Sequence, residues 1–86
     1  MKKHDDNFIS NVLKTDLLLL DYAQATDPKD KDAILEIVAR YIYALKDKKV
    51  ILMYSKICDS DEKEKDIYVE ILMDLIAEYK AEIKAV

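Results

Sequence analysis

Six acidic residues, Glu62, Asp66, Glu70, Asp74, Glu78 and Glu82, recur at every fourth position without a gap. A helix rises about 1.5 Å per residue, so the series predicts a ridge about 30 Å long that drifts slowly round the axis. Like charges four apart destabilise a helix by about 0.2–0.5 kcal/mol per pair. Lys63 and Lys65 lie close to its start, whereas Lys80 and Lys84 project to its side. The repulsion therefore asks for an offset from outside the helix: salt, a lysine from a neighbouring helix, or a basic partner. The plain reading is a solvated outer face. The functional reading is a docking face for a Lys/Arg-rich protein surface, carried by Asp66, Glu70, Asp74 and Glu78.

Sharper chemistries fail on residue type. Asp59, Asp61 and Glu70 match the first, third and last positions of a calcium-loop template, but the required glycine is replaced by Glu64 and an apolar position by Asp66. Glu70 and Asp74 could chelate a divalent ion, yet no Glu-x-x-His pattern accompanies them. The lone histidine, His4, falls in a tail expected to fray. Cys58 has no histidine near it in sequence and is placed at a core position, as a buried structural thiol. No serine is presented with a local base. The only arginine, Arg40, is expected on an outward face, so no cluster of arginine and lysine is in view for an anionic substrate. The chain is read as a non-enzyme with no catalytic residues, no metal and no cofactor.

Composition narrows the classes further. With 86 residues the chain makes one domain, residues 1–86, near the lower size limit for independent folding. It is 51% apolar, too much for a disordered chain, and 37% charged, with no apolar run near the roughly 20 residues of a membrane span. It has no glycine, which removes Gly-rich phosphate cradles, dinucleotide fingerprints and Gly-based hairpin turns. A single cysteine removes disulfide frameworks and Cys-rich zinc sites. A net charge of −4 disfavours direct contact with nucleic-acid phosphates. No signal peptide or anchor is read at the N-terminus, and a lone thiol suits a reducing interior, so a cytoplasmic location is expected.

The elements that must carry these residues are all helical. The absence of glycine and the richness in Ala, Leu, Ile, Lys and Glu predict a small antiparallel all-α bundle of four helices, the third short. The first runs from about Asp6 to Ala25, with Phe8, Ile9, Val12, Leu13, Leu17, Leu19, Leu20 and Ala23 as its apolar stripe. Asp27 and Pro28 start the second, as cap and first helical residue. Its buried face is Ile34, Leu35, Ile37, Val38, Tyr41, Ile42 and Leu45, with Glu36 and Arg40 opposite. Phase ends it at Lys46 to Lys49, because Lys48 and Lys49 would otherwise turn onto the apolar face. Val50 to Cys58 reads locally as strand, but no second strand exists to pair with it, so a short helix is predicted. Asp59 or Ser60 caps the fourth, which runs to about Lys84 with Tyr68, Leu72, Leu75, Tyr79 and Ile83 as core, widened by Val69, Ile71 and Ile76.

Two further features bear on function. Asp16 falls near the centre of the first helix's apolar stripe. A lone carboxylate there is costly, so either the helix rotates to let it reach the bundle edge, or a Lys or Tyr from a neighbour satisfies it; the functional alternative is a polar site within the core. Leu18 and Tyr22 point away from that stripe, Tyr43 sits with Glu36 and Arg40, and Ile67 and Met73 border the acidic ridge. Leu18, Tyr22 and Tyr43 are therefore read as an interface, with a homodimer hiding the first two.

The function that follows is a small cytosolic protein that binds a partner protein, as inhibitor, immunity factor or adaptor. In size, charge and helicity the chain resembles the small bundle immunity proteins that bacteria make against their own bacteriocins, without a diagnostic motif. An acidic phage-type inhibitor blocking a nucleic-acid channel, or a self-assembling structural protein, would carry the same composition.

Overall fold

A computed structural model describes residues 6–84 of the chain; His4 lies outside them. Four helices follow one another: α1 (Asp6–Gln24), α2 (Pro28–Leu45), α3 (Lys48–Asp59) and α4 (Glu62–Lys84), with no strand among the described residues. The ambiguous stretch from Val50 is helical, as the lack of a pairing strand requires. Connections of two or three residues force each helix antiparallel to the one before it. α1 packs on α2 and α4, and α3 packs on α4 and more thinly on α2, which closes a square with α1 opposite α3 and α2 opposite α4.

With no glycine available, aspartates and one lysine make the corners. The Asp27 carboxylate accepts the Lys29 N–H at 2.9 Å, with Pro28 at the first helical position. Lys46 ends α2 in the left-handed conformation, φ 56°, the place where glycine is preferred, and its N–H donates to the Tyr43 carbonyl at 3.2 Å. Asp47 at once caps α3, accepting from Lys49 and Val50 at 2.8 and 3.1 Å. α4 is capped by Asp61, which accepts the Glu64 N–H at 2.9 Å, rather than by Asp59 or Ser60. The Ser60 hydroxyl is turned away to the Lys56 carbonyl.

The core is one cluster, and in α1 its phase differs from the expected stripe. The buried residues of α1 are Val12, Thr15, Leu19 and Tyr22. Thr15 takes a core position because its hydroxyl donates to the Asn11 carbonyl at 2.7 Å, which satisfies its polar atom and leaves its methyl to pack. The helix is therefore rolled, and Leu13, Leu17 and Leu20 face out rather than in. Tyr22, expected to point outward, is only 3% exposed, and Leu18 is half-buried against the core. In α2 the face narrows to Leu35, Val38, Ile42 and Leu45, with Ile37 exposed. In α4 the centre is Val69, Leu72 and Ile76, while Tyr68, Leu75, Tyr79 and Ile83 flank it half-buried. Cys58, expected at a core position, is exposed: Val50, Tyr54 and Ile57 form the buried face of α3 and leave the thiol on its edge.

Candidate protein-binding surface

The acidic series lies along α4 as expected, and all six carboxylates are exposed. Each step of four residues turns about 40° past a full turn. The ridge thus begins on the flank of α4 that faces α1 and finishes on the flank that faces α3. Its two ends meet the chain's own lysines. Near the start, Lys31 of α2 reaches Asp66 at 3.5 Å, while Lys65 reaches across to Asp32 at 3.5 Å. At the far end, Glu78 and Glu82 line a cleft with Lys46, Lys48 and Lys49 from the α2–α3 corner. The offset required by the sequence comes in part from neighbouring helices.

Among the described residues no cation lies within ion-pair distance of Glu70, Asp74 or Glu78, while Glu70 shares a cleft with Lys31 and Tyr22. Beside Glu70 and Asp74, Ile67 is 59% exposed, and Ile71, expected to widen the core, is 39% exposed instead. Positions 67, 70, 71 and 74 follow the i, i+3, i+4, i+7 rule, so they form one outward patch over two turns of α4. It alternates a branched apolar side chain with a carboxylate. Met73, expected beside the ridge, is half-buried and packs on the core.

The other expected contact residues lie elsewhere. Tyr22 is an anchor of the bundle end. The Lys31 ammonium lies 5.3 Å above its ring, and the ring forms a wall of a cleft of about 310 Å³ with Thr26, Lys31, Asp32, Lys65 and Asp66. Its hydroxyl ionises above the usual tyrosine range, first because it is buried and then because Asp66, Asp32 and Glu62 oppose a second negative charge. Tyr43 is half exposed as expected, but it stands on α2, diagonal to α4, and packs edge-on against Tyr54 with ring centroids 6.0 Å apart. The acids and the three apolar residues named with them therefore do not make one surface.

The comparisons with known proteins add no likeness. The chain matches no family model, no curated protein and no solved structure. What the surface can do has to be judged from its own chemistry.

Asp16 finds its answer in α4. The Lys80 ammonium donates to it at 2.9 Å, and the roll of α1 places it at the edge of the buried face. Both structural outcomes foreseen for this carboxylate are met, and the pair ties α1 to α4. Among the described residues no three His, Cys, Asp or Glu side chains gather as a metal site, and no helix is long and apolar enough to cross a membrane. Cys58 sits beside the buried Tyr54, whose hydroxyl donates to the Leu35 carbonyl at 2.8 Å.

Two parts of this surface were hidden from sequence reasoning. One is the intramolecular pairing at the ridge's start, where Asp66 meets Lys31 from 35 residues away, together with the lysines of the α2–α3 corner that share a cleft with its far end. The other is the outward leucine stripe of α1. A strict 4-3-4-3 count through positions 8, 12, 15, 19 and 22 would have found it, had Thr15 been admitted to the core.

Proposed function

We propose that the chain is a non-enzymatic binding module whose partner is a protein with a Lys/Arg-rich surface, docked on the middle of α4. The observation that carries this reading is the patch Ile67, Glu70, Ile71 and Asp74: exposed, contiguous, and carrying carboxylates that have no ion pair among the described residues. Carboxylates at such a place steer a basic partner and speed its arrival. The isoleucines supply the apolar contact that holds it once docked. This is how an inhibitor, an immunity factor or an adaptor of this size works, by covering another protein's surface. An exposed lone thiol at Cys58 suits a reducing compartment, so the cytoplasm is the proposed site of action.

The test uses the wild-type chain to capture its partner from the cell that makes it. Association kinetics follow with the Glu70→Lys/Asp74→Lys double variant. The variant should associate more slowly, with a flatter dependence on salt, and keep its helical spectrum. An Ile67→Ala/Ile71→Ala variant should instead dissociate faster. Wild-type kinetics for both variants at low salt would reduce the patch to a wet helix face.

A further inference from the structure

α1 is apolar on two opposite faces. One is the core face of Val12, Leu19 and Tyr22. On the other, Leu13, Leu17 and Leu20 are 43%, 62% and 41% exposed. Their spacings of four and three place them on successive turns of one outer stripe. A lone exposed leucine is ordinary. Three in a row on the back of a helix whose front is already buried are not, because a helix apolar all round belongs in an interior. Among the described residues nothing covers this stripe.

We infer that the stripe is covered by the same stripe of a second copy, with the two α1 helices antiparallel about a two-fold axis close to Leu17. The flanking charges select both the occupant and the direction. Lys14 and Asp21 are exposed and lie on the same flank of the stripe, seven residues or about 10 Å apart, with Leu17 near their midpoint. Lys14 is kept on that flank by the Tyr41 ring, 5.4 Å below its ammonium. A two-fold axis perpendicular to two antiparallel helices sets each flank against its own copy and reverses its order. Lys14 of each copy then faces Asp21 of the other, so both ends of the contact are charge-matched. Leu13 of each copy meets Leu20 of the other, and the two Leu17 side chains meet at the axis. A parallel pairing does the reverse. It sets this flank against the opposite one, where Asp16 is already held by Lys80 at 2.9 Å, and leaves Asp21 facing Ala23.

This surface belongs to the α1 corner of the square and the acidic patch to the α4 corner. Self-pairing leaves the patch open and presents it twice, and the inference stands independently of what binds there.

Sedimentation equilibrium of the full chain over a wide concentration range tests the pairing. The wild type should show a monomer–dimer equilibrium. Leu17→Glu should raise the dimer dissociation constant at least tenfold and leave the circular dichroism spectrum unchanged, since Leu17 faces water in the monomer. K14D and D21K should each weaken the dimer, and the double swap should recover it, because the swapped charges again meet in reversed order. A second readout does not depend on affinity. In a Cys58→Ser background, Leu17→Cys should oxidise to a covalent dimer, the two introduced thiols meeting at the axis. A monomer at every concentration overturns the inference, as does a dimer indifferent to Leu17→Glu, or a double swap no better than its single changes. If the monomeric chain instead loses a foreign protein or a lipid vesicle on Leu17→Glu, the stripe belongs to that occupant and self-pairing is refuted.

Discussion

Removing the Asp16 carboxylate should destabilise the bundle far more than removing an ordinary surface charge. The Lys80–Asp16 bond is 2.9 Å, and the side chains keep only 30% and 18% of their exposure. Fully exposed ion pairs are worth about 0.2–1 kcal/mol. Hydrogen bonds to charged groups shielded from water are worth about 1.5–3 kcal/mol. The pair lies between these limits, so the coupling between the two residues should be about 1–2 kcal/mol. Asp16→Ala also strands the Lys80 ammonium at a half-buried site, which brings the total loss to about 2 kcal/mol. For a domain of this size that lowers the Tm by roughly 10 °C. Urea unfolding of the wild type, Asp16→Ala, Lys80→Ala and the double variant closes the cycle. Additivity within about 0.3 kcal/mol would refute the coupling. An apolar replacement, Asp16→Leu with Lys80→Met, separates charge from contact: it should be neutral or stabilising, because a packed apolar pair escapes the cost of desolvating two ions.

Three further outcomes are expected. Tyr22→Ala should cost about 3–5 kcal/mol in denaturant unfolding, as for a buried aromatic, whereas a residue on an outer interface would lose under about 0.5 kcal/mol. Lys46→Gly should stabilise the chain by about 0.5–1 kcal/mol, since the left-handed corner between α2 and α3 penalises any side chain; a loss of stability would show that the Lys46 stem makes contacts of greater worth. Tyr54 holds its proton more tightly in the folded chain than the usual tyrosine range, first through burial and then through the Cys58 side chain. Its contribution is thus complete below about pH 10 and declines above it by about 1.4 kcal/mol per pH unit, where the unfolded hydroxyl ionises and the folded one does not. Alkaline unfolding of Tyr54→Phe should therefore be less steep than that of the wild type, and equal slopes would sink the argument.

The helices were legible in the sequence because their signals are local. Asp27-Pro28 is a start whatever surrounds it, and Val50 to Cys58 had no strand to pair with. The phase of α1 was not legible. Leu17, Leu18, Leu19 and Leu20 point in four directions and carry no phase information, so the decision fell to Thr15, which hydropathy counts as polar. Its bond to the Asn11 carbonyl removes that polarity, and only the folded backbone reveals it. Tyr22 was misplaced by the same roll. The acidic ridge was visible as a period of four, and its exposure follows. Which of its carboxylates are already answered depends on how α2 and the α2–α3 corner meet α4, and no spacing within α4 encodes that.

The uneven closure of the square has a consequence for how the molecule opens. α1 with α2, and α3 with α4, are hairpins of sequence neighbours, whereas α2 touches α3 sparingly and is tied to it by the Tyr54 hydroxyl on the Leu35 carbonyl. The twelve residues of α3 are too few to hold a helix alone in water. Sub-global opening should therefore begin along that seam, with α3 swinging out on α4 while α1 keeps its grip on both neighbours. Amide hydrogens of α3 would then exchange through an event well below the global unfolding free energy, and those of Val12 to Leu19 through complete unfolding. The chain would fold in the opposite order, two fast local hairpins first and the α2–α3 seam last.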